Sequence, residues 1–221
     1  GEKYGSTLRG IAPVYSDKYA KKCIRTGDLF FPEYLEHRLK NVLAYKNLMI
    51  ENVYGAEESA FEDMMDYLNT YGGEFKDYIC DTGVFLREAA ERGDRIMFEA
   101  QLGALRDIDF GIYPYTSSSS TIAAYAPIGA GIPGIKLDST VGIMKAYSSC
   151  VGEGPFTVEM DGDEAEALRK AGGEYGAATG RPRRVGVFDA VASRYGIRCQ
   201  GADKIALTKL DVLSYLDSIP V

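Results

Sequence analysis

Gly172-Gly173-Glu174-Tyr175-Gly176-Ala177-Ala178-Thr179-Gly180-Arg181-Pro182-Arg183-Arg184 is the stretch from which both fold and chemistry are read. Its four glycines free the backbone to curl close to a ligand. Three guanidiniums follow, each a rigid fork of donors matched to a carboxylate or phosphate. Thr179 adds a hydroxyl, and Pro182 stiffens the loop where it is most basic. No sequence neighbour is expected to neutralise Arg181, Arg183 and Arg184, so the segment reads as an anion clamp. A solvated basic loop is the plain alternative.

Working outward, Glu164 to Ala171 reads as a short helix, with acids at its start and Arg169-Lys170 at its end, as the helix dipole favours. Phe188 to Arg198 reads as another helix, and Lys204 to Thr208 as a buried strand. Further back, Thr140 to Tyr147 reads as a buried strand that runs into the turn Val151-Gly152-Glu153-Gly154-Pro155-Phe156. Arg95 to Glu99 is predicted to be a short strand, and the Ala/Gly-rich Ile122 to Ile132 a close-packed helix. Strands separated by helices predict an α/β fold with a largely parallel central sheet and surrounding helices, its ligand loops at the carboxyl ends of the strands.

A different pattern occupies the first half. Leu35, Leu39, Val42, Leu43, Met49 and Ile50 recur at helical spacing after Pro32, which suits a first turn. Glu57 to Tyr71 reads as a second helix stopped by Gly72-Gly73, and Val84 to Glu91 as a third. These form a helical insertion near residues 32–92. Residues 1–28 read as turns with a basic face of Lys18, Lys21, Lys22 and Arg25. The whole chain, 1–221, is expected to belong to a single domain.

Composition narrows the function. The net charge is -7 and the pI about 4.9, which argues against a nucleic-acid surface and makes the arginine loop a basic island suited to a small anion. Four scattered cysteines and one histidine, His37, give no zinc spacing. The thiols suit the cytoplasm, and no apolar run is long enough for a membrane span. A second chemical signal is Leu207-Thr208-Lys209-Leu210-Asp211 at a strand end. A carboxylate there accepts from the two adjacent donors of guanine, which adenine lacks. Asp211 acting only as a helix cap is the competing reading. A third signal is the hydroxyl run Thr116-Ser117-Ser118-Ser119-Ser120-Thr121, read as an ordered loop able to bind phosphate.

Together these segments resemble adenylosuccinate synthetase. The resemblance is carried, in order, by Ser6-Thr7-Leu8-Arg9-Gly10-Ile11-Ala12-Pro13, Asp107-Ile108-Asp109-Phe110-Gly111 with the serine run, Lys145-Ala146-Tyr147, Val151 to Phe156, Gly176 to Arg184, and Leu207 to Leu213. It implies a GTP-dependent ligase of AMP biosynthesis. In the family, GTP phosphorylates the 6-oxygen of IMP, the amine of L-aspartate displaces that phosphate, and Mg2+ assists.

By resemblance, Thr7, Lys21, Gln101, Leu102, Ser117 and Arg181 bind IMP, with Lys21 reaching the nucleotide of the other subunit in a homodimer. Ala177, Ala178, Thr179, Gly180, Arg181, Pro182 and Arg183 form the aspartate loop. Arg183, Lys209, Leu210 and Asp211 bind GTP. Lys21 stands for a usual arginine, Leu102 for a usual glutamine, and Leu8 and Ala178 for a usual glycine and threonine. The family's glycine-rich segment with its catalytic aspartate, and its catalytic histidine, have no counterpart in this sequence. The chain is therefore expected to be a central part of the enzyme, with no catalytic residue and no Mg2+ ligand of its own, and inactive alone. Two alternatives stand beside this: a non-catalytic nucleotide-binding or interaction module, and a ligase acting on a different purine nucleotide.

Overall fold

The computed structural model describes residues 9–176 and 180–221. Its contacts divide into two compact units, an all-helical one, Gly10–Asp94, and an α/β one that includes Arg95–Val221.

In the helical unit, α1 spans Ile11–Ala20, α2 Pro32–Asn52, α3 Phe61–Phe75 and α4 Thr82–Glu91. Helix α1 replaces the turns expected over this stretch. Pro13 falls in its first turn, where a missing N–H costs nothing. Pro32 opens α2, and Leu35, Leu39 and Leu43, spaced by four, are buried. Helix α3 continues through Gly72-Gly73, which do not stop it. A Cβ at 72 would stand 2.8 Å from Leu29 Cδ2, so the Thr26–Phe30 turn packs closely against the helix at this glycine. Asp81 caps α4 by accepting from the Val84 N–H at 3.1 Å.

In the α/β unit, α5 spans Ala126–Ala130, β1 Val141–Lys145, β2 Ser148–Cys150, α6 Gly162–Gly172, β3 Arg184–Gly186, α7 Ala190–Gln200 and β4 Lys204–Thr208. Strands β1 and β4 pair in parallel, with Lys145 opposite Thr208, and β2 and β3 pair antiparallel. The α/β class and the parallel pairing are as expected, but among the described residues the strands form two separate two-stranded sheets. Residues 95–99 are not a strand, and α5 is one short turn of helix preceded by a 3-10 turn.

Strands β1 and β4 are also less buried than their apolar sequences suggest. Ile143 is 76% exposed and Leu207 45%. A two-stranded sheet leaves each strand one unpaired edge and too few neighbours to cover both faces. The core of this unit lies elsewhere, among Ala146, Tyr147, Ala165, Leu168, Val185, Val212 and Leu213. It packs α6 against β3 and the 211–213 turn, directly beneath the strand ends.

Candidate functional site

The parallel register sets the site. Because Lys145 and Thr208 are partners, the carboxyl ends of β1 and β4 finish side by side. The Ala146 N–H donates to the Thr208 carbonyl at 2.9 Å and extends the pairing one residue further. Lys145-Ala146-Tyr147 therefore runs alongside Lys209-Leu210-Asp211. This is where ligand loops collect in an α/β fold.

The arginine loop joins this end through Glu174. Helix α6 ends with Gly173 in the left-handed region, φ 64°, and the Glu174 N–H donates back to the Arg169 carbonyl at 2.9 Å. The chain then forms a narrow hairpin. The Arg183 N–H donates to the Glu174 carbonyl at 2.9 Å, and the Gly176 N–H donates to the Arg181 carbonyl at 2.8 Å. Glu174 is only 1% exposed. Its Oε1 accepts from Lys145 Nζ at 2.6 Å and from the Tyr147 hydroxyl at 2.5 Å, and its Oε2 accepts from Arg183 Nη1 at 3.0 Å. Burial pushes this carboxyl up, but the bonds from Lys145, Tyr147 and Arg183 outweigh it and hold the group below the usual range. The same burial, reinforced by Glu174, pushes the Tyr147 hydroxyl well above the usual phenol range; Asp211 is near enough to push the same way.

The three arginines are thus not the uncompensated clamp that the sequence suggests. Arg183 is ion-paired to Glu174, and Arg184 pairs bidentately with Glu159, its Nε donating to Oε1 at 2.7 Å. Arg184 Nη1 also donates to the Gly154 carbonyl at 2.9 Å. These partners were missed because only pairing in space reveals Glu159. The signal for Glu174 lay in plain view, as the one carboxylate inside a segment of three arginines. Arg181 is the arginine that faces outward, 67% exposed, with Glu153 at 3.9 Å.

The serine loop is built around a second buried carboxylate. Asp107, 1% exposed, accepts from the Asp109, Phe110 and Thr121 N–H groups at 2.9, 3.0 and 2.6 Å. Asp107 thus holds the turn before the hydroxyl run and the run's far end at Thr121, and the run is an ordered loop. The Ser117 N–H donates to the Arg106 carbonyl at 2.7 Å, and the Ser117 and Ser119 hydroxyls lie 3.1 Å apart. Arg106, which the sequence did not single out, joins this loop to the glycine turn. It donates to the Tyr115 carbonyl, to Cys150 Sγ at 2.5 Å and to the Val151 carbonyl at 3.2 Å. The 151–154 turn is therefore gripped by Arg106 from one loop and Arg184 from the other.

The remaining candidates fall as follows. Lys209 follows β4 with φ 63°, and Leu210 and Asp211 are exposed behind it. Leu210, not Asp211, stands at the N-cap of the 3-10 turn Asp211–Leu213, which weakens the helix-cap reading of Asp211. Gln101 and Leu102 are exposed, and Leu102 has φ 73°. Gly180 and Pro182 are exposed on the hairpin. Lys21 belongs to the helical unit, at the end of α1, with φ 58°. Among the described residues, the non-glycine positions in the left-handed region are Lys21, Leu102 and Lys209, all three of them site candidates. Such backbone is costly and concentrates at functional sites. Thr7, Ala177, Ala178 and Thr179 lie outside the described residues. Among the described residues, no group of three or more His, Cys, Asp or Glu side chains could hold a metal ion.

A family model described as adenylosuccinate synthetase matches residues 1–221. The chain belongs to the adenylosuccinate synthetase family. The adenylosuccinate synthetase of Thermodesulfovibrio yellowstonii is 42% identical over all of this chain and 52% of its own length. That of Listeria innocua is 42% identical over 99% of the chain and 51% of its own length. A solved structure described as fully ligated adenylosuccinate synthetase from Plasmodium falciparum superimposes with a TM-score of 0.89 at 36% identity, over 98% of this chain and 50% of that one. The chain thus spans about half the length of the adenylosuccinate synthetases it matches. No helix among the described residues is long and apolar enough to cross a membrane.

Proposed function

We propose that the chain is the part of a cytoplasmic adenylosuccinate synthetase that carries the aspartate loop and the guanine reader. The observation that supports this most is the convergence at the ends of β1 and β4. There Glu174 joins Lys145 and Tyr147 to the arginine hairpin, and the parallel register sets Lys209 to Asp211 alongside Lys145 to Tyr147. In this reading the whole enzyme transfers the γ-phosphoryl of GTP to the 6-oxygen of IMP. The amine of L-aspartate then attacks carbon 6, and phosphate leaves with that oxygen.

Each group present here has a part suited to its chemistry. Asp211 accepts from the ring N–H and amino group of guanine, and the Lys209 stem covers the purine. Thr7, Gln101, Leu102 and Ser117 hold IMP, with Lys21 acting on the other subunit's IMP in a homodimer. Arg181, on residues 177–183 with Arg183, takes the aspartate carboxylate as a charge-assisted fork. Mg2+ assists the family reaction; among the described residues no group of three or more His, Cys, Asp or Glu side chains gathers to hold a metal ion.

The test is steady-state kinetics of the full-length enzyme with IMP, GTP, aspartate and Mg2+. Turnover is expected, and its absence would refute the reading. Arg181→Ala should lower kcat/KM for aspartate by roughly tenfold to a hundredfold, the loss of one charge-assisted interaction. Unchanged aspartate kinetics would refute the clamp.

A further inference from the structure

We infer that Glu174 is a positioning residue, whose buried carboxylate sets where the arginine hairpin stands against the carboxyl ends of β1 and β4 and so orients Arg183. The inference rests on the ligase reading above. A carboxylate this buried is costly unless it is paired and fully hydrogen-bonded. A plug for one cation would need one partner, yet Glu174 takes three donors from two separate segments. Lys145 and Tyr147 come from the end of β1, and Arg183 from the far limb of the hairpin.

Main chain and side chain act together. Glu174 holds Arg183 through its carbonyl, which accepts from the Arg183 N–H, and through its carboxylate, which accepts from Nη1. Among the described residues Arg183 Nε is buried without a partner, and the bond from Nη1 to Glu174 is the one that orients the guanidinium. The apposition is tight. A Cβ at Gly172 would stand 2.5 Å from the Tyr147 hydroxyl and 3.2 Å from Glu174 Cγ, so only glycine lets the hairpin root come this close. Removing the negative charge leaves Lys145 and Arg183 facing each other across a former anion, and the hairpin should move off the strand ends.

The full-length enzyme carrying Glu174→Gln tests this. Glutamine keeps the shape but replaces one acceptor oxygen with a donor amide that faces existing donors. The expected result is an aspartate KM raised about tenfold with the IMP KM changed less than about twofold. A merely structural role would move both KM values together, or neither, and either outcome overturns the inference. Should that variant fail to fold, Tyr147→Phe removes one of the three bonds and keeps the ring. It should raise the aspartate KM about threefold with the same split, and an equal change in both KM values again overturns the inference. Wild-type turnover beside an unaltered aspartate KM in Glu174→Gln defeats the positioning role alone. A wild-type enzyme without turnover defeats the ligase reading and this inference with it.

Discussion

The two units bury different things. In the helical unit the buried residues are Leu35, Leu39, Leu43 and Ala89; its Glu36–Lys40 and Arg92–Asp94 ion pairs are half exposed or more, and Asp17–Lys46, with side chains 18% and 30% exposed, is partly covered but not buried. The buried polar residues among those described are Asp107, Thr121 and Glu174, and all belong to the α/β unit. Apolar burial is non-directional and tolerates many side chains of similar size. A buried carboxylate demands donors at fixed places, and so it fixes the loops that supply them. One unit is therefore held mainly by packing, while the other spends part of its stability on holding two loops in register. The candidate site sits on those two loops.

The strongest way to break this comparison is Asp107→Ala. Three backbone N–H groups, those of Asp109 and Phe110 in the preceding turn and of Thr121 at the end of the serine loop, would lose their acceptor. Leaving the buried Thr121 donor and two partly buried donors unsatisfied should cost about 2–4 kcal/mol in urea unfolding at neutral pH. Burial pushes the Asp107 carboxyl up, but the N–H groups of Thr121, Asp109 and Phe110 outweigh it and hold it below its ordinary value of 3.8. A depressed folded value gives stability that is present above 3.8 and lost as pH falls through the lower folded value. The gap between wild type and variant should therefore narrow in acid. A loss under about 1 kcal/mol, or a gap independent of pH, would show that the loop is held by packing after all.

Glu174 and Asp107 also mark where sequence reading succeeds and where it stops. Stripes such as Leu35, Leu39 and Leu43 repeat with the helix and are visible in one dimension. The parallel partners β1 and β4 were legible as apolar runs, and their positions as strand ends led to Lys209 and Asp211. What periodicity cannot carry is pairing across the chain. Strands β2 and β3 have three residues each, too short to show alternation. Arg184 lies 25 residues from Glu159 and Arg106 lies 44 from Cys150, so neither contact leaves a local trace. The stop expected at Gly72-Gly73 failed for the same reason. The glycine answers to Leu29, a neighbour in space. The exposed faces of β1 and β4 follow from how few strands stand beside them, which no single strand's sequence encodes.

A smaller effect is expected at Asp211, where the comparison predicts function and stability to separate. Its carboxylate is exposed, unlike Asp107 and Glu174, and is not the N-cap of its turn. In the full-length enzyme Asp211→Asn should lower kcat/KM for GTP about tenfold or more, because an amide matches guanine poorly. XTP, which offers a carbonyl in place of the amino group, should be relatively favoured. The melting temperature should barely move. An unchanged GTP/XTP preference with a lowered melting temperature would return Asp211 to a structural role.

The smallest expected effect is in the helical unit, at the Glu36–Lys40 pair. The two charges are one helical turn apart on α2 and 2.5 Å from each other, but their side chains are 50% and 58% exposed. Glutamate lies N-terminal to lysine, the favourable order for this spacing. Water and salt nevertheless screen such pairs, and holding two long side chains together costs rotamer entropy, so Glu36→Ala should cost only about 0.3–0.5 kcal/mol. About 1 M salt should erase that difference. Lys40 also lies 5.2 Å from the centre of the Phe61 ring on α3, so Lys40→Ala removes a second contact and should cost slightly more, with a part that salt does not remove. Both substitutions should stay well below the Asp107→Ala loss. If Glu36→Ala alone costs more than about 1 kcal/mol, charge pairing supports the helical unit too. The contrast between a packed unit and a unit organised around buried carboxylates would then fail.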